Sequence, residues 1–219
     1  MNRPPGIARV LAVCFVILIC MPGCLHIHQD RTHSKVVLLF DGRTFAGWEG
    51  ETNHMFRIEH GTIIGGSLTH AIPRNEFLCT TRFYTNFVLR VKCRLNGTKD
   101  VNGGVQFRSS RIPNDSEVAG YQADMAAGWW GFLYDESRRQ NFLSKPDPEQ
   151  VSKVLKPDGW NQYVIRCQGR RIEIWLNGLK TVDFTEPDES LPNFGIIGLQ
   201  IHRGPPGEAA YRDIMMEEL

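Results

Sequence analysis

Three short stretches carry hydrogen-bonding side chains at alternate positions: Gln106 and Arg108 in GGVQFRS, Gln122 and Asp124 in GYQADM, and Gln200 and His202 in GIIGLQIHR. Amides, guanidinium, carboxylate and imidazole are fork-shaped or two-sided hydrogen bonders, suited to hydroxyl-rich ligands. The second stretch runs straight into AAGWWGFLYDESRR, which holds Trp129, Trp130 and Tyr134, then Asp135 and Glu136, then Arg138 and Arg139. Flat sugar faces pack on such rings while the rim hydroxyls bond to amides and acids. A carbohydrate ligand is therefore expected, bound by Gln106, Gln122, Gln200, Arg138 and the tryptophans. Alternation along the chain allows only one of two adjacent tryptophans to be core, and Trp130 is the one expected in the site, with Trp129 left open. Gly128 and Gly131 would let the backbone turn tightly around them. The competing interpretation is an ordinary solvated sheet face with tryptophan in the core.

The elements that must position these residues are strands. In the same three stretches Val105 and Phe107, Tyr121, Ala123 and Met125, and Ile197, Leu199 and Ile201 occupy the alternate, apolar positions. Successive strand residues face opposite ways, so each stretch has a core side and a polar side. The rest of the chain reads similarly. MFRIEHGTIIGG is two strands around His60-Gly61, NFVLRVKCRLNG alternates strictly, and WNQYVIRCQGRRIEIWLNGLKTVDF is three strands turning at Gln168-Gly169 and Asn177-Gly178. Asn-Gly between alternating runs is a strong hairpin signal. The pattern gives about twelve antiparallel strands and no long helix, an all-β jelly-roll sandwich. Residues 140–159 read as a long surface loop.

Composition narrows the function. The chain has 219 residues, 42% of them hydrophobic, enough for one good-sized core. Its 25 basic and 24 acidic residues are nearly balanced, which argues against a nucleic-acid partner. No Cys or His cluster has zinc spacing, and there is neither a phosphate-binding glycine loop nor a Gly-x-Ser-x-Gly elbow. Glucanases of the laminarinase type set two glutamates around a central aspartate on one strand; here that strand gives Gln122, Asp124 and Ala126, so only the central acid is present. The strand does not supply the second carboxylate, about 5 Å away, that retaining hydrolysis needs, although Asp135 or Glu136 could contribute one acid from the loop. Cys79, Cys93 and Cys167 read as buried apolar residues, with a Cys79–Cys93 bridge as the alternative in an exported protein.

The first 24 residues, MNRPPGIARVLAVCFVILICMPGC, have basic Arg3 and Arg9, a short apolar run and a Gly-Cys end. This is the pattern of a secretory signal, and Cys24 after Gly23 makes it a lipoprotein signal with Cys24 as the lipid attachment site. An ordinary cleaved signal or an uncleaved anchor is the alternative. The expected organisation is a signal over 1–23, a polar tether over 24–35 and one domain over 36–219, exported and held to a membrane through the lipid.

Taken in order, LLFDGRTFAGW, NGGVQFRS, GYQADMAAGWWGFLYDE, GWNQYVIRCQGRRIEIWLNG, GIIGLQIHRG and YRDIMMEEL resemble the 3-keto-disaccharide hydrolase domain family. The resemblance implies a concanavalin-A-like jelly roll and cleavage of glycosides already oxidised at C3 of the sugar. In many members the third motif begins Gly-Tyr-Glu where this chain has Gln122. The implied chemistry needs a base near C2, a cationic group at the C3 oxygen and an acid at the leaving oxygen. Arg108 is the candidate for the oxygen, Asp124 or His202 for the base, and Tyr134 or Glu136 for the acid. One cofactor has room in this scheme, a divalent cation held by Asp124 and His202. A lectin-like carbohydrate-binding module is the alternative function.

Overall fold

The computed structural model describes Met1 and residues 36–219. The signal-like segment, Cys24 and the tether lie outside the described residues. The described chain forms β1 (Val36–Leu38), β2 (Trp48–Glu49), β3 (Phe56–Glu59), β4 (Thr62–Ser67), β5 (Glu76–Thr80), β6 (Phe87–Gly97), β7 (Gly103–Arg111) and β8 (Val118–Met125). There follow β9 (Leu133–Glu136), β10 (Phe142–Ser144), α1 (Pro148–Val154), β11 (Asn161–Gln168), β12 (Arg171–Leu176), β13 (Leu179–Thr185), β14 (Ile196–Ile201) and β15 (Gly207–Glu218).

The strands make two antiparallel sheets. One runs β13-β12-β11-β6-β15-β4-β3, with β1 also on β15; the other runs β10-β9-β8-β7-β14-β5-β2. This is the expected jelly-roll sandwich. The two-residue turns His60-Gly61 and Asn177-Gly178 have positive φ at each position, the geometry whose twist suits a tight hairpin; the β11–β12 turn is Gly169-Arg170, one residue on from the expected Gln168-Gly169, and only its glycine has positive φ. Val105, Phe107, Leu199 and Ile201 are buried between the sheets, as the alternation requires. They meet Phe87, Leu89, Val91, Tyr163, Ile165 and Tyr211 of the opposite sheet in one core.

Three expectations need correction. The 140–159 segment is not a bare loop: it contains β10, paired with β9, and α1, whose Asp147 cap accepts from Glu149 N. Fifteen strands form rather than about twelve, because some are very short and β5 is buried on both faces, which erases the polar alternation that marks a strand. The third concerns cysteine pairing. Cys79 lies in β5 of one sheet and Cys93 in β6 of the other, and these two and Cys167 are free, buried thiols. Burial pushes the Cys79 and Cys167 thiols up to about 12, so they remain protonated packing groups.

Arg108 is the largest departure from strict alternation. The register of β7 against β8 and against β14 shifts around this residue, which sits in a bulge at φ 47°. One extra residue re-aims the side chain. The guanidinium is buried and reaches across to the other sheet, donating to Thr85 O (2.5 and 3.0 Å) and Gly169 O (2.7 Å). It therefore ties the β5–β6 connection to the β11–β12 turn. Arg108→Ala would leave those carbonyls short of donors and is expected to lower unfolding free energy by about 2–4 kcal/mol in urea denaturation. A change within error would contradict this structural role.

Candidate functional site

The polar face expected from alternation exists, on the outer side of the sheet that contains β7, β8 and β14. Gln106, Gln122, Asp124 and Gln200 all belong to it, and all four are buried. The face is covered in part by its own connections. Glu117, just before β8, accepts from Asn75 Nδ2 (2.8 Å) and from Ser137 Oγ (3.2 Å). At one end it opens into a cavity of about 550 Å³ lined by Asn102, Gln122, Asp124, Trp129, Tyr134, Glu136, Gln140, Asn141, Phe142, Lys145 and His202. That volume suits a small sugar.

A hydrogen-bond chain fixes the floor. Ser109 Oγ donates to Gln106 Oε1 (2.8 Å), and Gln106 Nε2 donates to Gln122 Oε1 (2.8 Å). This sets the Gln122 amide so that its NH2 end bonds to Asp124. A glutamate at position 122 would have no such donor when ionised. Room for the Gln122 side chain comes from Gly104, where a Cβ would stand 2.6 Å from Gln122 Cγ.

Asp124 is the chemical centre. It is only 3% exposed, and burial pushes its carboxyl up to about 7, against the opposing bonds from Met125 N (2.8 Å) and Gln122, with the nearby Glu136 charge adding to the rise. Glu136 also titrates above the usual carboxylate range, because of burial and the Glu117 charge, while Gln200 Nε2 (3.1 Å) holds its Oε2 in place. Tyr134 is raised above the ordinary phenol value by burial and by the charges of Glu136 and Asp124, so it stays protonated at neutral pH. His202 Nδ1 lies 2.7 Å from Arg203 O, which puts the hydrogen on Nδ1 and the lone pair on Nε2. Two buried acceptors, Oδ1 of the cavity-lining Asn102 and Oε1 of Gln200 behind it, have no donor among the described residues.

The backbone under these groups is held from the opposite sheet. Tyr163 of β11 donates to Asp124 O (2.5 Å) and accepts from Gly131 N (2.7 Å). Tyr211 of β15 donates to Gln200 O (2.6 Å) and accepts from Gly104 N (3.2 Å).

Asp124, Glu136, Tyr134, His202, Gln122 and Trp129 thus meet at the cavity, and Gln106 and Gln200 back it. Three expected site residues do not reach it. Trp130 is 5% exposed and stacks on Tyr163 in the core (6.1 Å), whereas Trp129 is 44% exposed and packs on Phe142 (5.6 Å) in the cavity wall. Gly128 and Gly131, at φ 84° and 83°, bracket the pair and turn the chain, which reverses the parity assumed from a straight strand. Arg138 bonds to buried Asp135 (2.9 Å) and lies over the Tyr121 ring, while Arg139 bonds to Asp135 and to Glu186 (2.7 Å). The arginine pair therefore neutralises the inward acid of Asp135-Glu136 and leaves the other acid to the cavity. Arg108 lies elsewhere, as described above. The cavity residues missed by the sequence reading are Asn102, Gln140, Asn141, Phe142 and Lys145; the last four come from the segment read as a loop. Lys145 lies over the Phe142 ring, 5.3 Å from its centroid. Among the described residues no group of three or more His, Cys, Asp or Glu is arranged to hold a metal ion.

The sequence matches the profile of the 3-keto-alpha-glucoside-1,2-lyase-like domain over residues 35–217. The chain belongs to this family. No curated protein matches it. Among solved structures it is similar to a candidate glycosyl hydrolase from Parabacteroides distasonis ATCC 8503, at 17% identity and TM-score 0.62 over 84% of this chain and 94% of that one. It is also similar to the Bacillus licheniformis beta-glucanase (8%, TM-score 0.56, 85% and 98% covered) and to carbohydrate-binding module CBM66 of Bacillus subtilis (13%, TM-score 0.51, 78% and 96% covered). At such identities these likenesses speak for the fold. The family is a carbohydrate-active, glycosyl-hydrolase-like one, and this member keeps a polar cavity at the end of its site face.

The Asp124 carboxyl makes stability depend on pH. In the unfolded chain it ionises near 3.8, in the fold only near 7. Between these values the unfolded state has released a proton that the native state still holds, so stability falls as pH rises, by roughly 4 kcal/mol once both are ionised. Asp124→Asn keeps the acceptor for Met125 N and carries no charge. Thermal unfolding should show it more stable than the parent at pH 8 and close to the parent at pH 4. An equal offset at both pH values would contradict the burial of an ionisable Asp124.

Proposed function

We propose that this chain is an exported enzyme that cleaves glycosides carrying a ketone at C3 of the sugar. The observation that carries the reading is Asp124, a buried carboxyl at the floor of an open polar cavity, titrating near 7. A carboxylate so placed is a stronger base than an exposed one and is available at neutral pH. The C3 ketone acidifies the hydrogen on C2. Asp124 takes that proton, and the electron pair left on C2 delocalises into the C3 oxygen as an enolate. Lys145 is the lysine of the cavity wall, and it takes the oxygen-stabilising role that the sequence reading gave to Arg108. The enolate then re-forms the ketone, a C1–C2 double bond appears, and the C1–oxygen bond breaks. Tyr134, protonated throughout the neutral range, supplies the leaving oxygen with its proton. Water adds back: its hydroxyl goes to C1, its remaining proton restores Tyr134, and Asp124 returns a proton to C2, so the net change is hydrolysis. Glu136 is held by Gln200 as a second negative charge that keeps Asp124 basic. Trp129 offers its exposed face to the sugar ring.

Export rests on the N-terminal sequence. In this reading residues 1–23 are a signal, Cys24 carries lipid, residues 24–35 are the tether, and residues 36–219 form the catalytic domain on the outer side of a membrane.

The test is incubation of the purified chain with a 3-keto-disaccharide and with its unoxidised parent, with and without a chelator. The ketone alone should be cleaved. Its kcat/KM should rise with pH through a limb centred near 7, and Asp124→Asn should lower it by on the order of 10²–10⁴ and abolish that limb. Equal cleavage of the unoxidised sugar would remove C2 acidity from the mechanism. Binding of either sugar without turnover would leave a lectin. Loss of activity on chelation would bring a divalent cation into the site.

A further inference from the structure

The sheet opposite the cavity carries a second concentration of polar side chains on its own outer face. Strand register puts Gln162, Lys92 and Arg212 side by side across β11, β6 and β15. Arg94 follows one pleat along β6, where its β15 neighbour is the small Ala210. Trp160 immediately precedes β11. The guanidinium groups of Arg94 and Arg212 both lie over its ring, 4.9 and 4.2 Å from the centroid. Lys156 arrives from the α1–β11 turn, whose shape is set by Asn161: its Oδ1 accepts from Lys156 N and its Nδ2 donates to Lys156 O, both at 2.9 Å. Lys92, Lys156, Trp160, Gln162 and Arg212 line a cavity of about 410 Å³.

Charge in this cavity is unbalanced. Asp213 binds Lys92 at 2.8 Å and stands 3.9 Å from Arg212. Among the described residues no other carboxylate pairs with these cations, and Lys156 and Arg94 have none. The Nε atoms of Arg94 and Arg212 are buried with no acceptor. Four cations drawn together in and beside the cavity against the one carboxylate of Asp213 repel each other unless a further anion sits among them. Stacking on Trp160 holds the two planar guanidinium groups in fixed orientations, so little freedom remains to be lost when an anion binds.

We propose that this cavity is a second carbohydrate site, which takes the acidic group of an anionic glycan, a carboxylate or a sulfate ester, on Arg212 and Lys156, with Gln162 bonding a neighbouring hydroxyl and Arg94, stacked on Trp160 beside the cavity, adding its charge. The net charge of the chain is only +1, so no broad basic field favours a nucleic acid or a membrane surface. The basic groups are confined to a pocket the size of one or two sugar residues, beside an aromatic ring and an amide. This site lies on the other sheet from Asp124 and binds without turnover, so its fate is separate from that of the proposed reaction.

Isothermal titration of the purified chain with galacturonate oligosaccharides, sulfated galactose oligosaccharides and neutral galactose oligosaccharides tests it, with phosphatidylglycerol vesicles as a fourth titrant. At least one acidic glycan should bind, more weakly as salt is raised, and the neutral one should not bind at this site. The carboxylated and sulfated arms identify which acidic group is taken. Arg212→Gln should weaken binding on the order of tenfold, and Arg94→Gln, beside the cavity, several-fold. Lys156→Gln, at an exposed position that cannot disturb folding, should weaken it several-fold, and Arg166→Gln, on the same sheet outside the cavity, should leave it unchanged. Unchanged affinity in the first three variants, equal affinity for the neutral glycan, binding to vesicles alone, or no binding to either acidic glycan would overturn the proposal.

Discussion

Two tyrosine hydroxyls buried in the core hold the polar face of the site in place. Tyr163 and Tyr211 project from one sheet through the apolar layer and end on backbone groups of the other, at Asp124 and Gly131 and at Gln200 and Gly104. A hydroxyl inside a core must find partners, and a backbone carbonyl or amide there is equally costly to leave unpaired. Each tyrosine meets both needs at once. The result is positional: the carbonyl of Asp124 is tied from behind, so the carboxyl on the other face of β8 has little freedom. Trp130 stacked on Tyr163 seals the same junction, which explains why the core claimed that tryptophan and left Trp129 to the cavity.

In front of that fixed backbone the chemistry follows from charge placement. Of the adjacent acids Asp135 and Glu136, strand alternation sends one to each face. Asp135 is met by two arginines and becomes structural, and its partner Arg139 extends the network to Glu186 and through it to Tyr121. Glu136 is bonded by the Gln200 amide and by Ser137 and, among the described residues, is paired with no cation, so its charge is felt by Asp124. The glutamine at position 122 completes the arrangement, since it can accept from Gln106 and donate to Asp124 in the same orientation. Two carboxylates, Asp124 and Glu136, thus share the cavity with supporting amides, each held above the usual carboxylate range.

Much of this was legible in the sequence. The sandwich, the hairpin turns and the core side of β7, β8 and β14 follow from period-two alternation, and so do Gln106, Gln122, Asp124 and Gln200 as one face. What alternation cannot show is where it stops. The bulge at Arg108 and the glycine-flanked turn at Trp129-Trp130 each add a change of direction that no hydrophobic pattern records. Arg138 was misplaced for a different reason, because its partner Asp135 could be recognised as buried only once β9 had been paired. Lys145, Asn141 and Phe142 were missed because β10 is three residues long and carries too little pattern to be read as a strand.

In the proposed reaction Asp124 removes the C2 proton of a C3-oxidised sugar. Proton exchange reads that step directly. Incubation of the chain with a 3-keto-disaccharide in deuterium oxide, followed by proton NMR of the uncleaved substrate, should show loss of the C2 signal at a rate that rises through pH 7 in the parent. Tyr134→Phe should retain exchange and lose cleavage, and Asp124→Asn should lose both. Exchange that persists undiminished in Asp124→Asn, or cleavage without any C2 exchange or deuterium at C2 of the released sugar, would contradict the account.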